Sequence, residues 1–429
     1  MLAKPKTTNQ IGLFNAIESL IDQKHPLFKL AHLINWSVFE DSFKKHYSEK
    51  MGKPAKPIRL MVSLLILKYL RNLSDENLVD QWAENIYFQY FSGEQFFQPK
   101  IPCVPTELVA FRQRIGEEGM ELILKESIRI NKDDNNDNDQ AVVSIDTTVQ
   151  EKNITYPTDD KLYKKIIKKC WIIAGKENID LRQSYIRIIK KLSNQQRFKH
   201  TKHGAKTARK ASKRIKIIAG RLLRDIARKL RLDRLAAYLP QIKLFQRVLS
   251  QKRDDTDKIY SIHEPDVKCY SKGKEHKKYE FGSKVSILID QDTGVIKGAI
   301  NFTQTLHDSK TLPEVLEQYE RLNEQQAKEV FVDRGVFVPT PNKNISKRQR
   351  QRHSKRSAIE PAIGHLKQDY RLCRNFLKGI LGDNINVILS AAAWNFRRRI
   401  ILWLTEALRR WLLTFKLIAG ISRNFYART

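Results

Sequence analysis

The chain is 429 residues long, 41% hydrophobic and 29% charged; at about 150 residues per domain that suggests two or three cores and excludes wholesale disorder. Lys and Arg total 79 against 47 Asp and Glu, a net charge of +32, and such a chain repels itself unless a polyanion neutralises it, nucleic acid being the commonest. The four cysteines, Cys103, Cys170, Cys269 and Cys373, are far apart without a CxxC pair, which argues against a disulfide scaffold or zinc knuckle and fits a reducing compartment. The opening MLAKPKTTNQIGLFN lacks the apolar run of a secretory signal.

Residues 1–130 read as a helical N-terminal domain. IRLMVSLLILKYL has apolar residues at helical spacing, RNLSDEN supplies a turn with Ser74 as N-cap, and ENLVDQWAENIYFQYF reads as the next helix. The pair fits a helix-turn-helix or part of a dimerising bundle equally well. NKDDNNDNDQ, residues 131–140, is a polar linker. Asp133, Asn135 and Asp137 mimic a calcium loop, but Asn138 replaces its glycine and Ser144 its closing glutamate, so calcium is rejected.

Residues 141–400 read as a mixed α/β domain. AVVSIDTTV predicts a buried strand. A helical insertion follows at about 160–250, where Ile215, Ile218, Leu222, Ile226 and Leu230 form one apolar stripe with basic residues on the other faces. YEFGSKVSILID, the turn QDTG and VIKGAINF predict a hairpin, LPEVLEQYERLNEQQ a helix, AKEVFVD a strand, and RSAIEPAIGHLK the start of a helical last third. Residues 401–429 predict a C-terminal amphipathic helix. Glu406, Arg409, Arg410 and Lys416 interrupt its apolar run, which favours packing on another protein surface over crossing a membrane.

The excess charge is concentrated. Residues 197–234 hold 15 Lys or Arg and 2 Asp, and KNISKRQRQRHSKR at 343–356 holds seven basic residues and no acid. One such run alone is as well explained as a solvated helix face; two of them favour the phosphate backbone of nucleic acid. In so basic a chain the carboxylates at strand ends carry information. Asp146 lies at the end of the buried run VVSID and Asp333 ends EVFVD before Arg-Gly, the strand ends where α/β sheets place functional groups. Glu360 lies early in the helix after the second basic run. Converging, the three would bind a pair of magnesium ions for phosphodiester chemistry. Singly, each aspartate is more often a turn former or helix cap than a ligand, and Ser357 with Glu360 fits a capping box. On a continuous helix Arg356, Glu360, Lys367 and His353 fall within about 60° of one another, although Pro361 disfavours helical geometry at Glu360.

The ordered segments GKPAKPIRLMVSLLILKYLRNLSDENLVDQWAENIYFQYFSGEQFF, DTTVQEKNITYPTDDKLYKKII, YEFGSKVSI, VDRG, RSAIEPAIGHLKQDYRLCRNFLKG and GDNINVILSAAAWNFRR resemble the DDE transposases of the bacterial insertion-sequence-five family over nearly the whole chain. That family's Tyr-Arg-Glu-Lys signature has gaps of two, three and six residues, which Arg356, Glu360 and Lys367 fit, with His353 at the Tyr position. The resemblance implies a ribonuclease-H-like mixed sheet with a large helical insertion and an all-helical N-terminal domain. It implies Asp146, Asp333 and Glu360 as the catalytic triad holding two Mg2+ or Mn2+ ions, with His353, Arg356 and Lys367 on the transposon-end DNA. The basic insertion, Lys206, Arg209, Lys210, Lys213 and Arg214, is expected on double-stranded DNA. A homodimer or larger assembly in the bacterial cytoplasm, at the nucleoid, is the expected form. Only 26 residues separate Asp333 from Glu360, shorter than usual in the family. The alternative expectation is therefore an internally shortened, catalytically inactive copy that retains DNA binding.

Overall fold

The computed structural model describes residues 16–48, 52–132, 142–252, 254–271, 277–332, 351–352 and 354–426, with side chains through residue 412. The chain forms two compact units, one of Met1–Glu151 with Lys284–Thr429 and one of Lys152–Ser283. It is mixed α/β, with a mixed parallel and antiparallel sheet.

The first unit opens with helices α1 (Ile17–Leu20), α2 (Pro26–Leu33), α3 (Trp36–Lys44) and α4 (Ile58–Leu70). Helix α4 is buried on nearly every face, its apolar residues extending beyond one stripe, which marks a central helix. Helices α5 (Asp75–Glu84), α6 (Ile86–Phe91) and α7 (Pro105–Arg129) follow. Ser74 caps α5, its Oγ accepting from the Asn77 N–H at 3.1 Å. The single helix expected over ENLVDQWAENIYFQYF is in fact two. Asn85 leaves helical geometry and its Oδ1 accepts from the Tyr87 and Phe88 N–H groups at 3.0 and 3.1 Å, starting α6 anew. Helix α7 kinks at Gly116, whose φ of 62° favours glycine.

Strand β1 (Val142–Lys152) enters the sheet and continues past the run expected from AVVSIDTTV. In the second unit, helices α8 (Asp159–Lys176), α9 (Ile186–Arg197), α10 (Gly204–Lys229) and α11 (Leu232–Ser250) pack around Ile166, Cys170, Ile215, Ile218, Leu222, Ile226 and Phe245. Strand β2 (Lys268–Ser271) pairs antiparallel with the start of β3 (Tyr279–Asp290).

Back in the first unit, β3 and β4 (Ile296–Phe302) form the expected hairpin. Its turn is tied by Asp290 Oδ1, which accepts from the Asp292 and Thr293 N–H groups at 3.0 and 2.7 Å. Helix α12 (Asp308–Asn323) leads to β5 (Glu329–Phe331), parallel to β1 with Val142 opposite Glu329 and Ser144 opposite Phe331. After a 3-10 turn at Arg356–Ala358 come α13 (Ile359–Asp369), β6 (Arg374–Asn375), which pairs with β1, and the 48-residue α14 (Gly379–Tyr426). One sheet face packs on α12 through Val143, Ile145, Leu288, Val315 and Tyr319. The other shares a core with α13, α14 and the N-terminal helices, including Ile287, Ile296, Leu366, Ile388 and Leu64. No helix of the described residues is long and apolar enough to cross a membrane, and the four cysteines are free thiols.

Candidate active site

Asp146 is the fifth residue of an eleven-residue strand, in mid-strand where a strand end was expected. The strand continues because its polar second half is satisfied: the Gln150 side chain meets Asn386 Nδ2 at 2.6 Å and the Asp383 carbonyl at 3.3 Å. Strand alternation puts Ser144, Asp146, Thr148 and Gln150 on one face and Val143, Ile145 and Thr147 on the other. The contacts agree with it. Val143 and Ile145 pack with residues of α12. Ser144 Oγ accepts from Gln291 Nε2 at 2.8 Å, and that nitrogen also donates to the Arg352 carbonyl at 3.3 Å. Asn386 Nδ2, bonded to Gln150, also donates to the Arg371 carbonyl at 3.1 Å.

These two ties hold the ends of the segment bearing Glu360 to β1 through Gln291 and Asn386. Arg352 is held near Ser144, and its guanidinium pairs with Glu329 at 2.9 Å; Lys355 pairs with Asp292 at 3.1 Å. Arg371 is held near Gln150.

Backbone angles stay right-handed helical at Lys355, Ala358 and Ile359, so Pro361 is accommodated in the first turn of α13, where its missing N–H costs nothing. Ser357 Oγ donates to the Ser354 carbonyl at 2.9 Å, which uses the hydroxyl away from a capping box. Ile359, Ala362, Ile363 and Leu366 are the buried face of α13. Glu360 and Lys367 lie on its flank within about 20° of one another, Glu360 exposed and Lys367, like Arg356 in the preceding 3-10 turn, half-buried.

Asp333 and His353 lie outside the described residues. The Ser144–Phe331 pair stands two residues before Asp146 on one chain segment and two before Asp333 on the other. Val332, which directly precedes Asp333, lines a small cavity with Ile145, Asp146, Thr147, Asp308, Thr311 and Leu312. Among the described residues no group of three or more His, Cys, Asp or Glu side chains is arranged to hold a metal ion. Asp146 and Glu360 supply carboxylate oxygens, the donor type that hard divalent cations take.

Asp308 is a carboxylate that does not stand out in the sequence. It opens α12 behind His307, whose Nδ1 accepts from the Ser309 N–H at 3.4 Å; a capping residue with an acid in the first turn is the one local signal of it. Asp308 Oδ1 accepts from Thr147 Oγ1 at 2.8 Å and Lys284 Nζ at 2.6 Å. Burial would raise its pKa, but the bonds from Lys284 and Thr147 outweigh burial and hold it below the ordinary carboxylate value.

In the second unit, Lys206, Arg209, Lys210, Lys213 and Arg214 are all exposed on α10. They span about 140° of the helix opposite the face that buries Ala208, Ala211, Ile215, Ile218 and Leu222.

The architecture and the acidic residues on a basic chain point to a nucleic-acid-processing class, and comparison with known proteins specifies it. Residues 15–114 match the family model described as transposase domain (DUF772), and residues 250–396 match transposase DDE domain. A protein of Rhizobium meliloti, uncharacterized protein ORF8 in nfe locus, is 38% identical over 177 residues, which are 41% of this chain and 85% of that protein. No solved structure matches the chain. The two matched domains are those of a DDE transposase. The DDE match contains Lys284, Asp308, Asp333 and Glu360, while Asp146 and α8–α11 lie in the stretch between the two matches.

Proposed function

We propose that the protein is a transposase of the bacterial insertion-sequence-five type, with a ribonuclease-H-like catalytic core, acting on the terminal inverted repeats of its own element. The observation that carries this reading is the pair of transposase domain matches, and it is supported by the hydrogen bonds through Gln291 and Asn386 that tie both ends of the Glu360 segment to the strand bearing Asp146. Asp146, Asp333 and Glu360 would hold Mg2+ or Mn2+, two ions in all. Bound there, the ions supply Lewis acidity that activates the attacking oxygen and offsets the charge of the leaving one.

The chain's own residues do the rest. Arg356 and Lys367 flank Glu360 and grip phosphates of the transposon end, Arg in a fork and Lys as a point charge. His353 occupies the remaining signature position. The basic face of α10 holds duplex DNA by neutralising phosphates. Hydrolysis at the transposon end frees a 3′ hydroxyl, which attacks target DNA without a covalent protein intermediate. Two copies pair the two ends, joined through α14, where Ile401, Leu404, Leu408 and Trp411 are exposed at the three-and-four spacing of a coiled-coil seam.

Incubation of the purified chain with a labelled inverted-repeat duplex and Mg2+ tests the reading. Asp146→Asn and Glu360→Gln should each lower end cleavage by at least about 100-fold while retaining duplex binding. Cleavage undiminished in Asp146→Asn removes that residue from the chemistry. Salt-sensitive binding without cleavage by the wild type identifies an inactive copy.

A further inference from the structure

We propose that Asp308 and Lys284 are positioning residues that hold the Asp146 carboxylate through Thr147; the proposal rests on the transposase reading above. The path is a continuous chain of hydrogen bonds within the first unit. The Thr147 N–H donates to Asp146 Oδ1 at 2.7 Å, fixing one carboxylate oxygen against the backbone. The Thr147 hydroxyl, on the opposite strand face, donates to Asp308 Oδ1 at 2.8 Å. Lys284 Nζ donates to the same oxygen and to the Leu306 carbonyl, both at 2.6 Å. Asp308 is itself held at the start of α12, where Thr311 Oγ1 donates to its carbonyl at 2.8 Å.

Three elements, β1, β3 and α12, thus converge on one peptide unit, the one whose N–H aims at Asp146. A carboxylate that must present an oxygen to a cation loses affinity when its rotamer is free, because orientation is then paid for on binding. Lys284 neutralises Asp308, so the brace adds no net charge beside Asp146 and does not compete for the cation. The sequence separates Thr147 from Lys284 and Asp308 by well over a hundred positions, and only the fold joins them.

The test compares Thr147→Val, which keeps shape and removes the hydroxyl, with Thr147→Ser, which keeps the hydroxyl, and with Asp308→Asn. Two quantities are read on the full chain: the Mn2+ concentration for half-maximal end cleavage, and the rise in melting temperature that Mn2+ produces without DNA. Thr147→Val and Asp308→Asn should raise the half-maximal Mn2+ concentration about tenfold or more and shrink the melting shift. Duplex affinity should stay within about twofold, and Thr147→Ser should restore both Mn2+ responses. Thr147→Val matching a responsive wild type in both readouts overturns the brace and leaves the transposase reading standing. A wild type with neither cleavage nor an Mn2+ melting shift overturns that reading, and the brace with it.

Discussion

Asp75 holds two buried cations at once. Its Oδ1 meets Lys68 Nζ at 2.7 Å and its Oδ2 meets Arg112 Nη2 at 2.6 Å, all three side chains being largely out of water. Burial alone would raise the Asp75 pKa, but the bond from Arg112 and the charge of Lys68 bring it down to about 2; burial and Arg112 push Lys68 down to about 8. A carboxylate depressed in the folded state contributes stability that is complete above its unfolded value, near pH 4, and is lost as pH falls through about 2. Asp75→Asn should therefore cost about 3–5 kcal/mol in urea unfolding at neutral pH, because two cations are left buried without their partner, and should flatten the decline in stability between pH 4 and 2. A cost under about 1 kcal/mol would mean that the cations reach solvent. Residues of this kind divide by how far the sequence reveals them. Asp146 and Glu360 stand out because a basic chain makes a carboxylate beside a hydrophobic run conspicuous. Asp308, Thr147 and Lys284 do not, since each looks like an ordinary cap, strand or surface residue until the fold brings them together.

Elements were legible where local chemistry decides and illegible where tertiary partners do. The β3–β4 hairpin and the Ser74 cap follow from turn residues that act on their own neighbours. The length of β1 does not, because Gln150 becomes strand through Asn386 and Asp383, far along the chain. The break between α5 and α6 lies between these cases: apolar spacing runs through it, and the Asn85 side chain overrides the spacing by capping α6. Asn85→Ala should cost about 1 kcal/mol and Asn85→Asp much less, since Asp caps equally well; chemical denaturation measures both. Helix α10 carries a functional expectation at the same scale. Its apolar stripe packs in the core, as the periodicity predicts, and the opposite face presents four basic residues, Lys206, Arg209, Lys210 and Lys213, within about 100°. Replacing all four by Gln should leave folding intact and reduce the slope of log affinity for duplex DNA against log salt by about 3.6, since each neutralised phosphate adds roughly 0.9 to it. An unchanged slope would take this face off the DNA.

For the molecule as a whole, a net charge of +32 opposes the meeting of two copies, which the proposed pairing of two DNA ends would require. An apolar contact that tolerates the repulsion, assisted by bound DNA, would resolve the conflict. Ile401, Leu404, Leu408 and Trp411 are 46, 51, 56 and 60% exposed on α14, a degree of exposure that large apolar side chains seldom retain along a whole helix face without a partner. Their spacing selects the partner's shape, since alternating steps of three and four residues form a seam that fits another helix of the same period. A second copy offers the same seam, and a twofold axis makes the patch self-complementary. The C-terminal segment read from sequence as a helix packing on another protein thus continues from α14 without a break after Ile400. Leu404→Glu with Leu408→Glu should halve the mass measured by light scattering on the DNA-bound chain. The melting temperature of the free chain should be nearly unchanged, because both side chains already face water in the single copy. An unaltered mass would take α14 out of the assembly and return the pairing of ends to the helical N-terminal region.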